Sequence, residues 1–254
     1  MTILNFMAFQ IMSHKVLVYG ISDIGLVRKN NEDAWKVLQD EHLYLLADGM
    51  GGHQAGEIAS TSCINFLSTI FLEKYNPNLS LEETKTFLFQ LIQEVNSLIH
   101  QQANENNQFK GMGTTLCCIL IHTDGLIYAH VGDSRIYRYR DHHLDQLTND
   151  DSLLRELIDL GQISEQQAED FHYKNIITKA IGTEANVKPT VKHLPIQEGD
   201  IYLMCTDGLS DLLSPSEIAN ILSTHSPENV IPHLVEQAKL KGGFDNITLV
   251  LLKV

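Results

Sequence analysis

The stretch His42-Leu43-Tyr44-Leu45-Leu46-Ala47-Asp48-Gly49-Met50-Gly51-Gly52 organises the rest of the chain. Its apolar run, bounded by polar residues, reads as a short buried strand, and the Asp-Gly and glycines that follow end it in a turn. Beyond the turn, from Glu57, apolar residues at 59, 63, 66, 67, 70 and 71 keep the spacing of one helix face. Asn76-Pro77-Asn78 stops that helix. Ser80 and Glu83 form a capping box that opens a second one, striped by Leu88, Leu91, Ile92, Val95, Leu98 and Ile99. Both stripes are read as core packing.

Working outward, further strands are expected at Lys15–Ile21, Thr114–His122, Leu126–Val131, Arg135–Arg140, Val187–His193, Asp200–Cys205 and Ile247–Leu252, with Gly125 and Gly132 at turns. Asp151 to Phe171 is polar and leans to helix. Ser214-Pro215 and Ser226-Pro227 each announce a short helix, serine as N-cap and proline at the first helical position. Hairpin-connected strands with paired helices predict antiparallel sheets covered by helices, an α+β layered domain. No parallel strand–helix–strand repeat is evident.

Composition narrows the function. The chain has 254 residues, with 18 basic and 32 acidic side chains and a net charge of −14. That balance argues against nucleic-acid binding, which needs a basic surface to release counterions, and against docking on anionic lipid. With 43% hydrophobic and 20% charged residues, it also excludes low-complexity disorder. No continuous apolar run reaches the roughly 18–20 residues of a membrane span. Cys63, Cys117, Cys118 and Cys205 show no framework spacing and read as buried thiols of a reducing cytoplasm, with Cys117 and Cys118 pointing to opposite faces of a strand. Residues 1–12 lack the basic region and cleavage site of a signal peptide. They read as a disordered extension or a misplaced start, with one domain from Ser13 to Val254.

Acidic residues recur beside glycines at strand ends: Asp48-Gly49, Asp207-Gly208 and Gly242-Gly243-Phe244-Asp245-Asn246, joined by Asn31-Glu32-Asp33 and Gly132-Asp133-Ser134. Each alone is an ordinary turn residue. Gathered together, carboxylates repel and their pKa values rise, a penalty that divalent cations remove. Hard oxygen donors favour Mg²⁺ or Mn²⁺ over zinc, and glycine allows a backbone carbonyl to reach the ion.

The ordered set Ser22-Asp-Ile-Gly-Leu-Val-Arg28-Lys-Asn-Asn-Glu-Asp33, Leu46-Ala-Asp48-Gly-Met-Gly-Gly-His53-Gln-Ala-Gly-Glu57, Gly111-Met-Gly-Thr-Thr115, His130-Val-Gly-Asp133-Ser-Arg135, Asn175-Ile-Ile-Thr-Lys-Ala-Ile-Gly182, Cys205-Thr-Asp207-Gly-Leu-Ser-Asp211 and Gly242-Gly-Phe-Asp245-Asn-Ile-Thr resembles the PPM family of metal-dependent protein Ser/Thr phosphatases (type 2C), in its compact bacterial form. It covers about residues 16–253. The resemblance implies an antiparallel β-sandwich flanked by pairs of antiparallel helices, four layers deep, with a two-metal site in a cleft at one end, holding Mn²⁺ or Mg²⁺, and a looser third site. By position, Asp48 bridges the two ions, the Gly49 carbonyl serves the first, and Asp207 and Asp245 serve the second. Asp33 holds metal-bound water, and Asp133 with Asp207 matches the third site. Arg28 matches the arginine that clamps the substrate phosphate, a task suited to a bidentate guanidinium. The implied reaction is direct attack on phosphoserine or phosphothreonine esters by a hydroxide held between the metals, with no phosphoenzyme. The implied setting is a cytoplasmic monomer acting on phosphorylated proteins, with a Ser/Thr kinase as counterpart.

Two departures stand out. Met50 takes the place where many eukaryotic members have a histidine proposed as leaving-group acid, which turns attention to His53, either as a proton donor or as a residue orienting the loop. Asp151 precedes Ser152 where bacterial members usually have histidine. Residues 151–174 correspond to the variable flap beside the active site. Its acids Glu156, Asp159, Glu165, Glu169 and Asp170 are read as a solvated face, or else as a selector of basic phosphopeptides. His142-His143 is read as a surface turn. A phosphatase for a small phosphoester and a catalytically silent scaffold stay open as alternatives at this point, the second opposed by the retained acids and Arg28.

Overall fold

In a computed structural model of the chain, the described residues are 4–5, 9–11, 14–51, 55–164, 166–171, 173 and 176–254. The strands are β1 (Leu4–Asn5), β2 (Phe9–Ile11), β3 (His14–Asp23), β4 (Asp33–Leu38), β5 (Leu43–Met50), β6 (Gly113–Thr114), β7 (Leu116–His122), β8 (Gly125–Val131), β9 (Arg135–Arg140), β10 (His143–Gln146), β11 (Thr190–Leu194), β12 (Ile201–Cys205) and β13 (Ile247–Lys253). The helices are α1 (Ala55–Lys74), α2 (Leu81–Glu105), α3 (Leu153–Asp159), α4 (Asp207–Ser210), α5 (Pro215–Thr224) and α6 (Pro227–Leu240). One sheet runs β1-β3-β13-β12-β9-β10 with β2 also on β3, the other β11-β8-β7-β5-β4 with β6 on β5. Every pairing is antiparallel. This is the expected α+β sandwich. Part of the stretch expected to lie outside the domain, Leu4–Asn5 and Phe9–Ile11, pairs along β3.

Three apolar layers follow from the two-residue period of the strands. On β5, Leu43, Leu45 and Ala47 pack under α1 and α2, while Tyr44 and Leu46 face the other sheet. On β12, Ile201, Leu203 and Cys205 meet α5 and α6, while Tyr202 and Met204 fill the space between the sheets. Cys118 belongs to the layer under α1 and α2 and Cys117 to the layer between the sheets, so adjacent thiols do point to opposite faces. All four cysteines are free and buried.

α1 is long and apolar enough, by length and composition, to cross a membrane. Here it is a core helix, with Ala59, Cys63, Leu67 and Phe71 packed against sheet and neighbouring helix. The Ser80–Glu83 capping box closes as expected, and a second one forms between Ser214 and Glu217. Ser226 takes the N-cap conformation, yet its hydroxyl makes no cap hydrogen bond and accepts from Asn229 Nδ2 at 2.9 Å instead.

Several expectations shift. β4 was not foreseen as a strand, because its polar entry Asn31-Glu32-Asp33 masks a run whose register is set by β5. β11 spans Thr190–Leu194, later than expected, its register set by β8. Among its described residues, the polar segment after Asp151 holds the seven residues of α3 and a 3₁₀ turn at Gln167–Asp170. Asp141 and His142 both have positive φ, 50° and 63°, making a tight hairpin turn, and His143 begins β10.

Candidate metal centre

Asp33 and Asp48 are directly opposite each other on β4 and β5. Each continues the alternation of Trp35 and Val37, or of Tyr44 and Leu46, that faces the space between the sheets. The inter-sheet core therefore ends, at one rim of the sandwich, in a pair of aspartates. The opposite sheet supplies hydroxyls at the same depth: Thr206 follows β12 and donates to Asp33 Oδ2 at 3.0 Å, and Thr206 Oγ1 accepts from the Thr248 backbone at 3.0 Å.

The other acids arrive at this rim on strand ends. Asp207 opens α4 directly after β12, Asp245 precedes β13, and Asp133 lies in the turn from β8 to β9. Their charges act on Asp48, whose pKa is pushed well above the usual carboxylate range by burial first and then by Asp33, Asp207, Asp133 and Asp245. Burial and Asp207 push Asp33 up to about 7. Burial, then Asp207 and Asp150, push Asp133 to about 7. Asp207 rises to about 6 through burial, Asp211 and Asp245, against a hydrogen bond with Asp48. The structure thus brings together all five aspartates singled out in the sequence.

Two of these carboxylates hold an oxygen that is buried and has no hydrogen-bond partner, Asp33 Oδ1 and Asp207 Oδ1. Leaving a buried acceptor unsatisfied costs about 1–3 kcal/mol, more when it is charged, so such oxygens call for a cation or a proton. The backbone beside Asp48 is tightly packed. Gly49 sits where a Cβ would lie 2.0 Å from the Gly56 carbonyl oxygen, and its own N–H donates to Glu32 O at 3.1 Å. No side chain fits there, and the loop is pinned close to the acids. Aspartate oxygens and backbone carbonyls are the donors that Mg²⁺ and Mn²⁺ take. The donor set, the orphaned oxygens and the glycine cradle fit a divalent-cation centre. As they stand, the side chains of the described residues do not close into a group of three or more ligands around one point.

One reason is Arg28. Its Nη2 donates to Asp245 Oδ2 at 2.6 Å, so Asp245 faces the guanidinium. Burial works against the arginine charge, but Asp245, Glu32 and Asp207 outweigh it and raise the pKa of Arg28 further. Behind Asp133, a small cavity of about 90 Å³ is lined by Asp207, Asp211, Asp150, Arg135 and Ser210. Asp150 is tied to Arg135 by three hydrogen bonds of 2.6–3.0 Å.

His53 and Glu165 lie outside the described residues. Met50 pairs with Gly113 across β5 and β6. Asp151, the departure at the flap entry, accepts from Lys179 Nζ and from the Gly132 backbone, tying the Asp133 turn to the segment after the flap. Of the flap acids, Asp159 is bound to Arg155 and to Asn149.

Three contributors were missed. Thr206 and Asn246 were quoted only as motif letters. Asn246 donates to the carbonyls of Ile24 and Asn30, both at 3.0 Å, and accepts from Glu32 N–H at 2.8 Å, so it locks the Asp33 and Asp245 segments together. Asp211 lies four residues after Asp207, one helical turn on, a spacing that could have revealed it.

Comparison with known proteins gives the family and the fold. The family model for protein phosphatase 2C matches residues 27–238. The serine/threonine phosphatase stp of Listeria monocytogenes is 37% identical over 236 residues, 91% of this chain and 93% of that one. The solved structure of the Streptococcus agalactiae serine/threonine phosphatase superposes with a TM-score of 0.88 at 36% identity, covering 94% of this chain and 99% of that one. The catalytic domain of the phosphatase PstP, solved with two manganese ions, gives 0.82 at 36% identity, covering 94% and 97%.

Proposed function

The chain belongs to the protein phosphatase 2C family and is a serine/threonine protein phosphatase of that type, and from that premise we propose how its residues divide the work. Asp48, the Gly49 carbonyl, Asp207 and Asp245 would hold two divalent cations, Mn²⁺ or Mg²⁺. Asp133 with Asp207 serves a third. Such ions, when bound, would act as Lewis acids and lower the pKa of water towards neutrality. Asp33, held by Thr206, orients water at the rim of the cleft.

Arg28 binds the phosphoryl group. Its guanidinium already donates one hydrogen bond to a carboxylate, and a phosphate offers two oxygens to which it can bind in bidentate fashion. That contact positions the ester and offsets charge that grows on its oxygens. His53 moves or orients a proton at the leaving oxygen, a role Met50 cannot take. The thiols stay out of the chemistry: burial lifts Cys63 and Cys205 to about 12 and raises Cys117 and Cys118 well above the ordinary thiol value. Phosphorylated proteins are the substrates, and a Ser/Thr kinase acting on the same proteins is the implied counterpart. A cytoplasmic setting fits four free thiols.

The observation that carries this reading is the pair of buried, partnerless carboxylate oxygens on Asp33 and Asp207 beside Asp48. The test is turnover of p-nitrophenyl phosphate and a phosphothreonine peptide with Mn²⁺ and with EDTA. Mn²⁺-dependent release of phosphate from both is expected. No metal-dependent turnover of either would return the chain to the silent scaffold.

A further inference from the structure

Five of the ten large apolar side chains exposed among the described residues lie on two neighbouring segments beside Arg28. Ile24, Leu26 and Val27 follow β3, and Leu240 and Phe244 flank the end of α6. Leu26, Val27 and Phe244 are each about 60% exposed, too much for core residues and too close together to be scattered surface positions.

The shelf they form is rigid. Leu26 N–H donates to the Gly243 carbonyl at 2.8 Å, and Asn246 Nδ2 donates to the Ile24 carbonyl at 3.0 Å. Lys239 Nζ bonds both oxygens of Asp23 at 2.9 Å, fastening α6 to the end of β3. The paired glycines make the room. A Cβ on Gly242 would fall 2.3 Å from the Phe244 ring, and one on Gly243 would fall 3.1 Å from Leu26 Cγ, while both glycines have positive φ. Apolar groups held out to water in a fixed arrangement lose little freedom on binding, which favours affinity.

The shelf is continuous with the cleft. Val27 precedes Arg28 and Phe244 precedes Asp245, and those two charged groups touch at 2.6 Å. A phosphorylated residue reaching Arg28 must carry its flanking chain across one of the neighbouring surfaces. At about 3.3 Å per extended residue, the shelf is within reach of side chains one to four positions away. We propose that this apolar shelf is a specificity subsite that takes a large aliphatic or aromatic side chain flanking the phosphoserine or phosphothreonine of the substrate protein. The inference rests on the reading of Arg28 as the phosphate clamp.

The test uses Mn²⁺-loaded full-length protein with three substrates: p-nitrophenyl phosphate, and two phosphothreonine peptides differing only in Leu or Ser on either side of the phosphoresidue. The wild type should prefer the Leu peptide by about tenfold in kcat/KM, mainly through KM, since an apolar contact distant from the reacting bond binds ground and transition states alike. Phe244→Ser and Leu26→Ser should bring that ratio close to one while leaving p-nitrophenyl phosphate turnover within about twofold. Equal use of the two peptides by the wild type, or an unchanged preference in both variants, would overturn the proposal. So would a parallel loss on all three substrates. If sedimentation shows wild-type self-association that the variants abolish while the peptide preference stays, the shelf belongs to a second copy of the chain and the proposal fails. Absent turnover of p-nitrophenyl phosphate by the wild type would instead remove the clamp reading itself, and this inference with it.

Discussion

Strand β12 is bordered by an aspartate at each end, Asp200 buried and Asp207 half-buried, and the two differ in almost every respect. Asp200, just before it, accepts from Arg140 Nε and Nη2 at 2.6 Å each, from Tyr202 Oη at 2.7 Å and from Gln197 N–H at 2.9 Å. Burial alone would raise its pKa, but those donors outweigh burial and hold it below the ordinary value. Asp207, just after the strand, has a buried oxygen with no partner and three acids, Asp48, Asp211 and Asp245, as neighbours, and its pKa is pushed up to about 6. The same residue type on the same strand is satisfied at one rim and frustrated at the other. A fold can bury a carboxylate for its own stability by surrounding it with donors. Where it gathers several with too few donors, the balance is left to something that binds.

Breaking the frustrated end should give the largest effect. Asp207→Asn or Asp48→Asn should lower metal-dependent turnover by at least on the order of 10³-fold while the folded state survives, measured with p-nitrophenyl phosphate and by circular dichroism. Near-wild-type rates would remove these residues from the metal set. Breaking the satisfied end should do the reverse. Asp200→Ala leaves Arg140 and the buried Tyr202 hydroxyl without their partner, so urea denaturation should show a loss of about 1–3 kcal/mol, with kcat of the folded enzyme little changed.

Acid titration separates the two rims by sign. The Asp200 carboxyl has a folded pKa below its unfolded value of about 3.9, so its stabilisation is present above that pH and is lost as pH falls through the folded value. Asp207 and Asp33, raised to about 6 and about 7, behave oppositely in EDTA: stability is greatest below about pH 4 and is lost as pH rises towards 7. Denaturation at stepped pH should show Asp200→Asn flattening the first limb and Asp207→Asn the second. A smaller effect is expected at the exposed rim. Arg28→Ala should raise KM for p-nitrophenyl phosphate by about tenfold or more, and an unchanged KM and kcat would tell against the clamp.

Much of this was legible before any coordinates. Asp48 and Asp207 stand out because each ends an apolar run beside a glycine, and the paired helical stripes point to a layered fold. What stayed hidden depends on pairing between distant segments. That Asp33 lies opposite Asp48 follows from the register of β4, a strand the polar Asn31-Glu32-Asp33 entry disguised. The locking role of Asn246 spans 216 residues to Asn30, and no local pattern encodes it. Ser226 shows the converse: its Ser-Pro signal marks the helix start correctly, but the hydroxyl goes to Asn229 rather than to the helix backbone.

The claim that the frustrated rim is a cation site is tested most directly by calorimetric titration of Mn²⁺ into the EDTA-stripped protein, with wild type, Asp207→Asn and Asp200→Asn compared under conditions where all three are folded. Saturable binding should appear in the wild type and in Asp200→Asn and be weakened or lost in Asp207→Asn. Equal binding by all three, or none by the wild type, would contradict the account.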